Sequence, residues 1–319
     1  KTRKMEVLNV GVLIPLSGPN AEIGQAGIKG IQLALQHAGD FSGRVKLQVR
    51  NSVKGDIART IKKLAKDFGT VAILGPYHTS GMSLATKAVE KLKIPIVLPV
   101  GTSLGTTSIN HHVFRLGMSH TAQAEAMANY AVQTLGLNRL AVLYPSNATG
   151  KTMSEIFHRR VAALGARIIR KASYPSDASD FGRQIRALGG MNDQEVERMR
   201  KAIKRNGKKS TRIPNIPFSG LFIPDGAAQA ALIIPGLGFY NIRGIHLLGI
   251  AGWNSNEIIA LAKKEVEGAY FVGGYRQLPP TARRARFARD FQRVFSEPPN
   301  KISTFSYDSM RFLLAGLRK

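Results

Sequence analysis

Two short stretches of this sequence place hydroxyl groups where a ligand could meet them. The first is Tyr77-His78-Thr79-Ser80, which follows the apolar run Val71-Ala72-Ile73-Leu74-Gly75-Pro76. The second is Val100-Gly101-Thr102-Ser103, which follows Ile94-Pro95-Ile96-Val97-Leu98-Pro99. Small hydroxyl and glycine residues let backbone N–H and side-chain O–H groups converge on one anion, so the chemistry expected is capture of a carboxylate or similar group. Met82, Ala85, Val89 and Leu92 recur between the two stretches at helical spacing. The whole reads as a β-α-β unit, whose right-handed crossover brings both loops to one carboxyl edge of a parallel sheet. Open α/β sheets bind their ligands at that edge.

Other patterns suggest catalysis and do not hold up. Asn147-Ala148-Thr149-Gly150-Lys151-Thr152 follows a predicted strand and opens a predicted helix, as a phosphate-binding loop would. Pro145, however, stands where that motif needs its first glycine, and proline can neither donate an N–H nor take the glycine conformation. Gly101-Thr102-Ser103-Leu104-Gly105 has the spacing of a nucleophile elbow, but the residues after it, Thr106-Thr107-Ser108-Ile109-Asn110, carry no apolar helical stripe. Asp225 and His246 follow in the order a hydrolase triad needs, yet His246 runs straight into Leu247-Leu248 inside a predicted strand. The adjacent pair His111-His112 would point apart in extended chain, and none of the seven histidines forms a helical metal pair. No enzymatic activity, metal or cofactor is expected.

At 319 residues the chain suits two domains of ordinary size. It has no cysteine, which excludes disulfides, thiolate zinc sites and cysteine nucleophiles. No apolar run approaches the roughly 20 residues that span a bilayer, and Lys1-Thr2-Arg3-Lys4 leads within a few residues into a strand, so any secretion signal is expected to have been removed or never to have existed. The formal net charge of +26 reads first as solvated charged faces, with an anionic partner such as nucleic acid, an envelope polymer or anionic lipid as the second reading. Cations are densest at Arg159-Arg160, from Arg198 to Arg212, and at Arg283, Arg284, Arg286, Arg289 and Arg293. Aromatic residues are few and no groove-reading motif is present, so no specific nucleic-acid partner is expected.

Strand and helix patterns alternate from end to end. Val7 to Ile14 reads as a strand ending at the turn Ser17-Gly18-Pro19, and a helix follows through Gly27, Ile31, Ala34 and Leu35. After strand Val45 to Val49, Asp56 caps a helix through Ile57, Ile61, Leu64 and Phe68. The first series closes at Val113 to Leu116. A second begins with Ala124, Met127, Ala131 and Leu135 on one stripe, followed by strand Leu140 to Tyr144 and a helix bearing Met153, Ile156, Phe157 and Leu164. Strand Ala166 to Arg170, a helix around Ile185, strand Leu221 to Ile223, a helix Ala227 to Phe239 interrupted at Pro235, and strand Ile245 to Ile250 complete it. This alternation predicts an α/β chain with two Rossmann-like lobes, parallel sheets flanked by helices, and a hinge around a central cleft. Lobe 1 is expected at 1–119 and 251–319, and lobe 2 at 120–250 with a basic insertion at about 191–216.

In this arrangement the residues resemble the type I periplasmic solute-binding proteins, particularly the branch of leucine/isoleucine/valine-binding proteins. The marks are Val10-Gly11-Val12-Leu13-Ile14-Pro15-Leu16-Ser17-Gly18-Pro19 leading to Gly24, then Ile73-Leu74-Gly75-Pro76, Ile94-Pro95-Ile96-Val97 to Ser103, Phe114-Arg115-Leu116 and Tyr307-Asp308. The resemblance implies an extracytoplasmic, periplasmic protein that closes by its hinge over an amino acid or related carboxylate and delivers it to an ABC transporter permease. It also implies that Thr79, Ser80, Val100 and Thr102 hold the ligand's charged groups from the first lobe, with Ser17, Tyr77, His78, Gly101 and Ser103 around them. In the second lobe Thr149 stands where the family often has an aromatic residue, and Ala251 where an acid would pair an ammonium; Asp225 and Trp253 are the candidate substitutes. The passages Phe222-Ile223-Pro224-Asp225 and Gly252-Trp253-Asn254-Ser255 are similar to the penicillin-binding protein activator lipoproteins of the same fold. That similarity implies the alternative of an envelope interaction protein with a reduced cleft and a lipid-anchored precursor. The family comparison also implies a final strand pair beyond Lys319.

Overall fold

The computed structural model describes residues 7–77, 79–100, 111–191, 216–273 and 282–318, with the isolated positions 194, 197 and 201. They divide into two compact units, one running to Ser119 and resuming at Tyr275, the other running from His120 to Gly274.

The first unit winds β1 (Leu8–Ile14), α1 (Ala21–Gln36), β2 (Val45–Asn51), α2 (Ile57–Phe68), β3 (Thr70–Leu74), α3 (Thr79–Leu92), β4 (Ile96–Leu98) and β5 (Val113–Arg115). Its strands are all parallel, in the order β2-β1-β3-β4-β5. Val10, Val12 and Ile14 pack into the core on one face of the sheet, and Leu13, Ile73 and Ile96 into that on the other. Burial on both faces explains the near-continuous apolar strands. Asp56 caps α2 as expected, accepting from the amides of Ala58 and Arg59.

The second unit winds α4 (His120–Asn129), β6 (Arg139–Pro145), α5 (Ala148–Ala163), β7 (Arg167–Tyr174), α6 (Gly182–Gly189), β8 (Gly220–Phe222), α7 (Ala227–Phe239), β9 (His246–Gly249), α8 (Asn256–Ala262) and β10 (Tyr270–Phe271). Its parallel sheet has the order β10-β9-β8-β6-β7. Read from β7 inward, this is the same winding as the first sheet, with the first strand of the series second from one edge. The expected α/β class with two parallel sheets is therefore present, and the order reverses between β1 and β3 and again between β6 and β8. Ligands seat outside such switch points.

Two expectations are corrected. The second unit does not end at 250: β10 pairs with β9, and Trp253, Ile258 and Ala262 are buried in the same core as α7. The apolar positions of 251–273 find their partners on the second sheet, so the return to the first unit comes only afterwards. Nor does Pro235 interrupt α7, which runs through it. Proline costs the helix one hydrogen bond, and Ile233, Ile234 and Leu237 remain buried around it. Most of the basic insertion at about 191–216 lies outside the described residues.

The last two helices, α9 (Ala282–Phe295) and α10 (Lys301–Leu317), belong to the first unit. α10 lies so close to α1 that a Cβ on Gly30 would collide with the Ser303 carbonyl. One polar chain crosses this buried layer. His37, at the end of α1, sits with Nδ1 2.7 Å from the Tyr307 hydroxyl and Nε2 3.1 Å from an Asp290 carboxylate oxygen. Arg311 donates to the same Tyr307 oxygen at 3.3 Å, and Arg286 and Arg293 flank Asp290. A carboxylate only accepts, which assigns the proton of neutral His37 to Nε2 and makes Nδ1 the acceptor of the Tyr307 proton.

Burial depresses the His37 pKa below its ordinary 6.5; Asp290 opposes this, and Arg286 and Arg311 add to it. A folded pKa below the unfolded one means that the unfolded chain takes up the proton more readily. The contribution is complete above the unfolded value of 6.5 and is lost as pH falls from there through the lower folded value. Stability measured by denaturant should therefore drop as pH falls below 6.5, above the range in which ordinary carboxylates titrate. His37→Gln should flatten the slope. An unchanged slope would show that another group titrates.

Candidate functional site

Each unit presents the ends of its first and third strands at one carboxyl edge. In the first unit β1 ends at Ile14 and the chain turns through Pro15, Leu16 and Ser17 into α1. Asn51, the last residue of β2, fixes this turn. Its Oδ1 accepts from the amides of Leu16 at 3.1 Å and Val53 at 3.2 Å, and its Nδ2 donates to Ser17 Oγ at 2.8 Å. An oxygen engaged as acceptor leaves the Ser17 proton as a donor toward an anion. Leu16 and Val53 are exposed apolar residues of the same turns. The strand-end reading missed Asn51, the polar residue that closes β2.

At the end of β3 the chain passes through Gly75 and Pro76 to Tyr77, and α3 starts at Thr79. The backbone of Thr79 and Ser80 thus forms the first turn of a helix at the carboxyl end of β3, with amides directed toward that end. Tyr77 is a correction. It is 6% exposed, its hydroxyl donates to Ser306 Oγ on α10 at 2.7 Å, and burial pushes its phenol pKa up. A ring and hydroxyl spent on the core cannot also line a site, so Tyr77 anchors the loop instead. Val100 is half-buried and packs against the same core. His78, Gly101, Thr102 and Ser103 lie outside the described residues.

The second unit repeats the design with different groups. Asn147 caps α5 by accepting from the amide of Gly150 at 2.8 Å, and donates to Ser176 Oγ at 2.9 Å. The apparent phosphate loop is thus a helix cap. Thr149 is exposed on the first turn of α5. Asp225, beyond the end of β8, accepts from the Tyr174 hydroxyl at 2.7 Å and from the Gly226 amide at 2.7 Å. Burial, reinforced by the charge of Asp225 and the hydrogen bond to it, raises the Tyr174 pKa, so Tyr174 keeps its proton and serves as a donor. Asp225 is half-buried and keeps acceptor capacity beyond these two bonds. Trp253 is the second correction: at 2% exposed, it donates Nε1 to the Asp225 carbonyl at 3.0 Å and lies against Gly249, where any Cβ would collide with the indole. It holds the Asp225 turn from behind and is not a lining residue. Tyr174 was also missed; its place at the end of β7, one register step from the β6 loop, was its only signal.

Among the described residues no three His, Cys, Asp or Glu side chains are grouped to hold a metal. No helix among them is long and apolar enough to cross a membrane.

The profile of the periplasmic binding proteins matches residues 7–319. Leu/Ile/Val-binding protein homolog 3 from Brucella melitensis is 24% identical over 200 residues, 57% of this chain and 51% of that protein, so about half the length of that relative is spanned. Two solved structures share the fold. One is the branched-chain amino acid transporter substrate binding protein LivJ from Streptococcus pneumoniae in complex with isoleucine, with TM-score 0.68, 18% identity, and 97% and 83% of the two chains covered. The other is a solute binding protein of an ABC transporter from R. palustris in complex with benzoate, with TM-score 0.66, 18% identity, and 98% and 81% covered.

If Tyr77 is an anchor, Tyr77→Phe should lower the unfolding free energy by about 1 kcal/mol, the usual worth of one buried hydrogen bond. Ligand affinity should not change. Denaturant titration and calorimetry on the same variant separate the two effects, and weakened binding without destabilisation would return Tyr77 to the site.

Proposed function

The chain belongs to the periplasmic binding protein family, and from that premise we propose that it captures a small carboxylate with an apolar body by hinge closure and passes it to an ABC transporter. The observation that carries this reading is the length of the profile match, which takes in both units and not one Rossmann-like half. The family's members are binding proteins and not enzymes. The ligand class rests on what isoleucine and benzoate share, a carboxylate beside an apolar group. The Ser17 donor with Leu16 and Val53 exposed around it supports that class on the first unit. Thr79, Ser80 and Thr102 are the hydroxyls assigned to the carboxylate, and Asp225 is the acceptor assigned to an ammonium where Ala251 offers none. Hinge closure needs a ligand with higher affinity for the closed state, so both groups are required for an amino acid.

A thermal-shift screen with leucine, isoleucine, valine and benzoate tests the reading, because a ligand bound only by the folded state raises the melting temperature with concentration. No stabilisation by any of them at high concentration would overturn it. Thr102→Ala should cost about 1–3 kcal/mol of binding to every such ligand, as for loss of a charge-assisted hydrogen bond. Asp225→Ala should weaken the amino acids and leave benzoate untouched. Equal losses for both ligand types would remove Asp225 from the ammonium role.

A further inference from the structure

The amino edge of the second sheet, at the far end of the strands from Asp225, holds a cavity of about 700 Å³. Two arginines line it. Arg139 opens β6 and Arg167 opens β7, and the two stand directly in register on neighbouring parallel strands. Residues so paired project from the same face of the sheet, on strands about 4.8 Å apart. Like charges placed this way repel, and a stabilising cross-strand pair would have an acid in one of the two positions. No acidic residue lines this cavity among the described residues; its other polar side chains are Asn138 and Ser219, and Ile216 and Pro217 give it an apolar wall.

Nothing described nearby answers these two charges. The ion pairs among the described residues all lie in the first unit, so neither guanidinium has an acidic partner among them. The stretch 198–215, which leads into Ile216, contains lysines and arginines but no aspartate or glutamate, and brings no counter-charge with it. Protection of a sheet edge accounts for Arg167 alone, because β7 is the edge strand. β6 lies inside the sheet between β7 and β8, where no second sheet pairs and Arg139 has no such use. The backbone beneath the pair is fixed. The Arg167 amide donates to the Asn138 carbonyl at 2.9 Å, and the Ser219 amide and hydroxyl both donate to the Arg139 carbonyl, at 2.9 and 3.3 Å.

We propose that this cavity is a second binding site, for the phosphate group of a phosphate monoester, with Arg139 and Arg167 as its anion-binding residues. A guanidinium presents its N–H donors in a planar fork that matches two phosphate oxygens. Two guanidiniums on adjacent strands supply the two positive charges that a phosphate monoester, largely dianionic at neutral pH, requires. A carboxylate or a sulfate ester brings a single negative charge and leaves one arginine uncompensated. The Asn138 carboxamide adds a neutral donor, and Ile216 and Pro217 suit the organic part of the ester. The volume is within the range of about 300–1,000 Å³ usual for small-molecule sites. β6 runs seven residues from Arg139 to Pro145, about 20 Å at strand rise, so the site is separate from the carboxyl edge and does not compete with a ligand bound there.

Calorimetric titration of the intact chain with phenyl phosphate tests the proposal. Binding should saturate, and phenyl sulfate, which has the same shape and one charge fewer, should bind at least about tenfold more weakly. Arg139→Gln and Arg167→Gln should each weaken phenyl phosphate about tenfold or more, the fold-change expected when one charged hydrogen-bonding partner is lost, and the double variant should not bind it. Arg159→Gln, which removes the same charge from α5 of the same unit, should bind like the parent. Circular dichroism checks that the variants fold; where one does not, the lysine replacement, which keeps the charge and loses the planar fork, stands in and should lose part of the affinity. Co-sedimentation with vesicles containing phosphatidic acid separates the two sources of such a phosphate. Retention that phenyl phosphate displaces and the double variant lacks assigns it to a lipid headgroup, and saturable phenyl phosphate binding without retention assigns it to a soluble ester. A parent that does not bind phenyl phosphate, phenyl sulfate bound as tightly, or equal weakening by Arg159→Gln would each overturn the proposal, the last by showing that the attraction belongs to the net charge of the unit and not to this pair.

Discussion

In each unit the helix that follows the first strand is pressed against the end of that strand. The Pro15 carbonyl occupies the space where a Cβ on Gly24 would stand, and the Pro145 carbonyl does the same at Gly150. A larger residue at either glycine would push the helix away and with it the turn that joins it to the strand. The close approach keeps these turns short, so that Ser17 in one unit and Asn147 in the other emerge at the carboxyl edge of a sheet buried on both faces. The same device at equivalent points of two sheets with one winding order marks the units as two copies of one architectural idea. The polar groups they display differ, with a hydroxyl held by Asn51 in the first and a carboxylate held by Tyr174 in the second.

Rigidity behind those groups comes from aromatic residues that do not face the edge. Tyr77 ties the loop after β3 to α10, and Trp253 ties the turn after β8 to the chain that follows β9. Each contributes a large buried area and spends its one polar hydrogen on a fixed acceptor, which is the only way such a side chain can be buried without penalty. The hydrogen bonds therefore orient backbone turns whose neighbouring residues, Thr79 and Asp225, are left to do chemistry. A binding edge of this kind separates tasks: aromatic side chains fix the position of the turn, and small polar ones meet the ligand.

Much of this was legible in the residues. The strand-helix alternation, the Asp56 cap and the parallel sheets follow from apolar spacing and capping chemistry, which are local signals. Tyr77 and Trp253 were misread because both stand beside small polar residues at strand ends, and only their distance from α10 and from Asp225 decides whether they turn inward. Asn51 and Tyr174 were missed for the converse reason: each acts on a loop tens of residues away, and nothing in its neighbourhood announces the partner. The boundary near 250 failed because apolar spacing marks a strand but not the sheet it joins, and only the pairing of β10 with β9 places it in the second unit.

Charge is the remaining organising term, and it is not spread in proportion to surface. Cations stand along the edge strand β7 at Arg167, Arg170 and Lys171 and along α9 at Arg286, Arg289 and Arg293, while α7 has none. On an edge strand, charge has a structural use, since it discourages a second sheet from pairing there. On α7 such protection is lacking, although Leu232 and Phe239 are exposed there. If the cations served only to keep the protein soluble, the most apolar exposed helix is where they would be needed most. Their placement instead guards the sheet edge and leaves α7 bare.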